Sequence, residues 1–196
     1  MVEPRDAATV LLLRPAPGAA DEAFEVFVMV RRTSMAFAGG LVAFPGGGAV
    51  PGESPRANAV RELAEETGVV LDPAALGAWD AWTTPEVMPR RYRTWFFAAL
   101  LPTGQEAREL STESSAVAWI APGEALDRVD AGEWDMMPPT YAALLRLVTY
   151  PTAEAVMEAT VDAEVEMFLP TWTETGPRLP AWAQELAAAR PGARWL

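Results

Sequence analysis

The chain has 196 residues, 51% of them hydrophobic, which suits a single domain with a substantial core. It contains no His and no Cys, and its 15 basic residues are all arginines, set against 27 Asp and Glu for a formal charge of −12. These absences exclude a Ser-His-Asp triad, thiol nucleophiles, Cys-ligated zinc and lysine chemistry, and the acidic balance argues against general nucleic-acid or anionic-membrane binding. Catalysis or metal binding is left to carboxylates, which prefer hard cations such as Mg²⁺, Mn²⁺ or Ca²⁺.

In chain order, residues 8–14 and 24–32 read as β-strands, joined as a hairpin through a Pro/Gly/acidic segment at 15–22. The apolar stretch at 7–13 is too short to span a membrane and follows acidic residues, so the expectation is a soluble cytoplasmic protein. A short strand at 41–45 runs into three glycines at 46–48. A helix over Pro55–Thr67 follows, with Ser54 as N-cap, Pro55 in the first helical position and Gly68 as the C-terminal stop. Strands are predicted at 76–83, 91–101 and 115–120, and helices at 122–129, 139–150 and 153–159. From residue 161 prolines and glycines interrupt the pattern. We expect a main domain over 1–160 and an extension over 161–196 that packs on the domain or on a partner subunit. Strands flanking single helices predict an α/β sandwich with a mixed sheet.

The 55–67 helix carries the chemistry. At 100° per residue, Glu66 lies about 40° and Glu65 about 60° from Glu62, so three carboxylates share one arc. Ala57, Val60, Leu63, Ala64 and Thr67 lie on the other side, the face expected to be buried. Glu62 and Glu66 are an i,i+4 like-charge pair that costs a few tenths of a kcal/mol, and a divalent cation would turn that repulsion into coordination. An acidic helix face taken alone is more often plainly solvated.

The surroundings decide between these readings. Gly47, five residues, Glu53, seven residues and then Arg61-Glu62-Leu63-Ala64-Glu65-Glu66-Thr67-Gly68-Val69 resemble the Nudix hydrolase box at every specified position. The resemblance implies a Nudix α/β/α sandwich and metal-dependent cleavage, by water, of a diphosphate linked to another moiety. It implies Mg²⁺ or Mn²⁺ as cofactor. Glu62, Glu65 and Glu66 match the family's metal-ligand and base positions, Arg61 the residue that orients a catalytic glutamate, and Glu53 a supporting ligand. The Gly46 carbonyl is a further candidate ligand, since glycine lets the backbone approach an ion closely. In this family the base is a box glutamate or a separate loop acid, for which Glu113 is the first candidate here and Glu86 the second.

Arg31-Arg32, Thr33-Ser34-Met35-Ala36-Phe37-Ala38-Gly39-Gly40 and Phe44-Pro45-Gly46-Gly47 resemble the stretch upstream of the box in coenzyme A diphosphatases, closest to the nudix-type motif 19 branch. That likeness makes coenzyme A or acyl-CoA the leading substrate. ADP-ribose, NADH or an oxidised nucleoside triphosphate are alternatives, and a non-catalytic nucleotide-binding regulator is a third reading. Arg32, Arg91 and Arg93 are candidate phosphate-binding residues, because guanidinium forks bind phosphate bidentately. Pairing with neighbouring acids is their competing use. Trp82, Trp95 and Tyr92 could stack an adenine or simply pack between strands. Many family members pair, so a homodimer is possible.

Overall fold

The computed structural model describes residues 2–18, 23–33, 39–110, 112, 114–174 and 176–193. Its centre is β1 (Arg5–Pro15), in which Val10, Leu11, Leu12 and Leu13 are all fully buried. Such a run has apolar layers on both faces. Ala8, Val10 and Leu12 face one layer, and Leu11 and Leu13 the other.

β1 pairs antiparallel with β2 (Phe24–Arg31) and parallel with β6 (Tyr92–Leu100), which pairs antiparallel with β5 (Gly77–Thr83). β7 (Ser114–Ile120) lies on the other side of β2. The result is the mixed sheet expected. β1 and β2 pair only from Leu13↔Val26 to Pro15↔Phe24 and then splay apart. Two short strands fill the resulting fork: β3 (Val42–Ala43) pairs with β2, and β4 (Gly46–Gly48) pairs with β1. The single strand expected at 41–45 is therefore two, each on a different neighbour.

Helix α1 (Pro55–Thr67) has the predicted boundaries. The Ser54 hydroxyl accepts from the Ala57 N–H, and Gly68 takes φ 77° while its N–H donates to the Ala64 carbonyl at 2.9 Å. Its buried face differs from expectation. Asn58, Ala59, Leu63, Glu66 and Thr67 are buried, an arc turned by roughly 100° from the one predicted. The reason is β4: an all-glycine strand offers main-chain N–H and C=O groups rather than side chains, so polar residues can face it.

The second layer holds α2 (Pro122–Asp130), α3 (Pro138–Leu147) and α4 (Ala153–Glu158) over the opposite face of the sheet. Beyond these come the two-residue strands β8 (Trp172–Thr173) and β9 (Gly176–Pro177) and helix α5 (Ala181–Ala188). Leu179, Ala183 and Ala187 join the same core as α2 and α3. Arg190 donates to Asp127 at 2.7 Å and to Asp130 at 3.0 Å, and the Tyr141 hydroxyl donates to Asp130 at 2.7 Å. Phe168 bridges to Trp82: its N–H donates to the Ala81 carbonyl and its carbonyl accepts from Thr83, both at 2.8 Å. No helix among the described residues is long and apolar enough to cross a membrane.

Candidate active site

The site lies in the fork, where α1 crosses β4. The register pairs Ala8 with Gly47 and Thr9 with Gly46, and the Val10 N–H donates to the Pro45 carbonyl. In such a ladder the N–H and C=O of Gly46 both point away from β1. The Gly46 N–H meets the carboxylate of Glu66 at 2.8 Å. Only 6% of Glu66 is exposed, so this contact anchors a carboxylate at the edge of the core.

Arg61 organises the other acids. Its Nε and Nη2 donate to the two oxygens of Glu53 at 2.9 Å each, and Nη1 donates to Glu62 at 2.8 Å and to Glu65 at 3.2 Å. Nη2 also reaches the Gly48 carbonyl at 3.1 Å and the Asn58 side-chain oxygen at 2.7 Å. The surrounding carboxylates push the Arg61 pKa further up, and its hydrogen bonds hold the Glu53 carboxyl below the usual range. Glu53 accepts in addition from the Val50 N–H, so both of its oxygens are engaged. Glu65 is the outermost acid, with 60% of its side chain exposed. Among the described residues no three acidic side chains already converge as a metal-binding cluster.

A small cavity beside Glu66 is lined by Met29, Arg31, Ala43, Phe44 and Ser114. Arg31 was not singled out from the sequence, although strand alternation sets it on the face of Phe27 and Met29. Its neighbour Arg32 is exposed just past the end of β2. Arg91 precedes β6 and is only 7% exposed; it donates to the carbonyls of Thr84 and Val2 at 3.0 Å each, which ties the β5–β6 loop to the N-terminal segment. Arg93 pairs with Asp6 at 2.9 Å. Trp82 is buried edge-on against Phe168 at 4.8 Å, in the layer opposite α1. Glu86 is exposed in the loop after β5, and Glu113 lies outside the described residues.

A family model described as NUDIX domain matches residues 3–139. The chain belongs to the Nudix family. Nudix hydrolase 7 of Caenorhabditis elegans is 29% identical over 162 residues, covering 62% of this chain. The acyl-coenzyme A diphosphatase NUDT19 of Gallus gallus is 29% identical over 110 residues, covering 54%. The chain spans 55% and 29% of these relatives' own lengths. Among solved structures, a NUDIX hydrolase from Alicyclobacillus acidocaldarius superposes with a TM-score of 0.71 at 27% identity, covering 81% of this chain and 97% of that one.

Two glycines of the candidate site separate stability from function. A Cβ on Gly46, which has φ 155°, would overlap the Ala8 carbonyl and lie 2.6 Å from Thr9 Cα. Backbone cannot step aside, so Gly46→Ala is expected to lower stability by about 1–3 kcal/mol or more. A Cβ on Gly47 would instead lie 2.5 Å from Glu62 Oε2, the end of a flexible side chain. Gly47→Ala should therefore keep its thermal midpoint and lose turnover. Melts and rates on both variants check this, and equal destabilisation would contradict it.

Glu53 gives a pH signature. Its native pKa is lowered, so its contribution to stability is complete above the ordinary value of 4.5. As pH falls through that value the unfolded chain takes up the proton first, and the contribution is lost as pH passes the native pKa. Acid melts of Glu53→Gln should show a shallower fall in midpoint than those of the wild-type protein. Parallel curves would refute the assignment.

Proposed function

We propose that this Nudix hydrolase cleaves the diphosphate of a nucleoside diphosphate conjugate with Mg²⁺ or Mn²⁺ bound, and that coenzyme A or an acyl-CoA is its substrate. The observation that carries the reading is the assembly of Glu53, Glu62 and Glu65 around Arg61, beside Glu66 anchored on Gly46. The available donors are carboxylate and main-chain oxygens, the hard ligands that Mg²⁺ and Mn²⁺ prefer. Glu62, Glu66 and the Gly46 carbonyl would hold the cation, and Glu53 supports Arg61. Once bound, the cation would neutralise the diphosphate and polarise its phosphorus.

The chain's own residues divide the remaining work. Among the described residues Glu65 is held by its 3.2 Å contact with Arg61 and is exposed to water, so we assign it as the base. The water oxygen bonds to one phosphorus as the bond from that phosphorus to the bridging oxygen breaks, and the water proton passes to Glu65. Glu113 remains the alternative base. Arg31, lining the cavity beside Glu66, suits the diphosphate, and exposed Arg32 the coenzyme's 3′-phosphate. Arg93 is neutralised by Asp6, and Arg91 serves the fold.

The coenzyme A reading draws on the likeness of residues 31–47 and on the avian relative named as an acyl-coenzyme A diphosphatase. A substrate panel in ¹⁸O water, followed by mass spectrometry, tests it. Coenzyme A should give 3′,5′-ADP and 4′-phosphopantetheine, with ¹⁸O on one of them. Chelation should abolish turnover, and Mg²⁺ or Mn²⁺ should restore it. Faster cleavage of ADP-ribose or NADH would move the substrate to those conjugates. Arg32→Ala should raise KM for coenzyme A more than for its dephospho form.

A further inference from the structure

Asn58 stands in the unspecified spacer between Glu53 and Arg61, yet none of its surface is exposed. A wholly buried amide needs partners for both ends. Its Nδ2 donates to the Gly47 carbonyl at 3.1 Å, and its oxygen accepts from Arg61 Nη2 at 2.7 Å. The second is the shortest contact Arg61 makes. Nη2 carries two hydrogens but faces three acceptors, namely Glu53, Gly48 and Asn58. Of these Asn58 is the one fixed deepest in the protein, on the same helix as Arg61.

We propose that Asn58 is a positioning residue that sets the direction of the Arg61 guanidinium and, through it, the carboxylates of Glu62 and Glu65. The same amide clamps Gly47, whose missing side chain leaves the space filled by the Glu62 carboxylate. Asn58 thus holds Glu62 from two directions, by its arginine partner and by the backbone beside it. A group that only accepts could direct Arg61 but would set oxygen against the Gly47 carbonyl. An apolar residue of the same volume would fill the space and direct nothing. The inference rests on the functional reading above, because it assigns Asn58 to the site that reading describes.

The test compares Asn58→Ala and Asn58→Leu in the full chain, each with and without Arg61→Ala. Leu keeps the buried volume and the helix, so it separates direction from packing. Outer-shell partners of metal ligands typically matter by roughly ten- to a hundredfold. In the Arg61 background both variants should lower kcat on that scale, with KM within about twofold and the melting transition still cooperative. Mn²⁺ affinity, titrated by electron paramagnetic resonance without substrate, should fall alongside. With Arg61 already replaced by Ala, changing Asn58 should add little to either loss. Wild-type rates and Mn²⁺ affinity in Asn58→Leu would overturn the proposal in favour of packing. Equal, additive losses in both backgrounds would overturn the route through Arg61. Should the wild-type protein turn over nothing in the panel, the functional reading fails by itself, and the Mn²⁺ titrations still decide the role of Asn58.

Discussion

Glu66→Gln is expected to lower turnover by about three orders of magnitude while the protein stays folded. The glutamine retains the side-chain oxygen that accepts from the Gly46 N–H at 2.8 Å, so the link between α1 and β4 survives. What disappears is the negative charge. A catalytic cation supplies several kcal/mol of transition-state stabilisation, and at about 1.4 kcal/mol per tenfold that is roughly a thousandfold in rate. Steady-state rates at several Mg²⁺ concentrations, with a circular dichroism melt, separate the two effects. Near-normal turnover would remove Glu66 from the ligand set. A collapsed melt would show that its charge serves the fold.

The second large effect is on stability. Ending the chain at Thr160 should abolish cooperative unfolding or lower its midpoint by tens of degrees. Leu179, Ala183 and Ala187 are at most 2% exposed within the core shared with α3, and Phe168 covers Trp82. A fully buried side chain of Leu size, such as Leu179, contributes about 1.5–3 kcal/mol, and losing the segment also bares the α3 and Trp82 surfaces beneath it. Removing this set would take a large part of the 5–15 kcal/mol available to an ordinary domain. Loss of Arg190 would also leave Asp130, whose side chain is only 8% exposed, without its guanidinium partner. Ala183→Glu offers an independent check, since it places a charge in the same seam. An unchanged midpoint in both would show that residues 161–193 lie on the domain without supporting it.

The parts of this protein that were legible in its sequence are those set by local chemistry. Helix α1 begins and ends where Ser54, Pro55 and Gly68 require, because caps act on the adjacent turn. The carboxylate arc followed from helical geometry, and the box spacing identified the family. What was not legible depends on partners distant in the chain. Asn58 and Glu66 look polar and therefore outward-facing, until a glycine strand 11 and 20 residues away supplies their hydrogen bonds. Arg91 reads as a phosphate ligand beside Arg93, yet its acceptors include the Val2 carbonyl, 89 residues away. Arg31 borders Glu66 only because the end of β2 lies beside the glycine strand, a neighbourhood that no local pattern encodes. Residues 161–196 lack periodicity, and the packing of Ala183 and Ala187 in the core shared with α3 follows from the fit of small side chains rather than from any motif.

The bridge between Phe168 and β5 also limits how copies of the chain can meet. An outer strand with unpaired main-chain groups invites a strand from another molecule. Along β5 that invitation is withdrawn at Ala81 and Thr83, whose carbonyl and N–H are already taken by Phe168. The opposite margin of the sheet is β7, paired only with β2 among the described residues. Self-association that extended this sheet is therefore expected to run through β7 rather than through the Ala81–Thr83 end of β5.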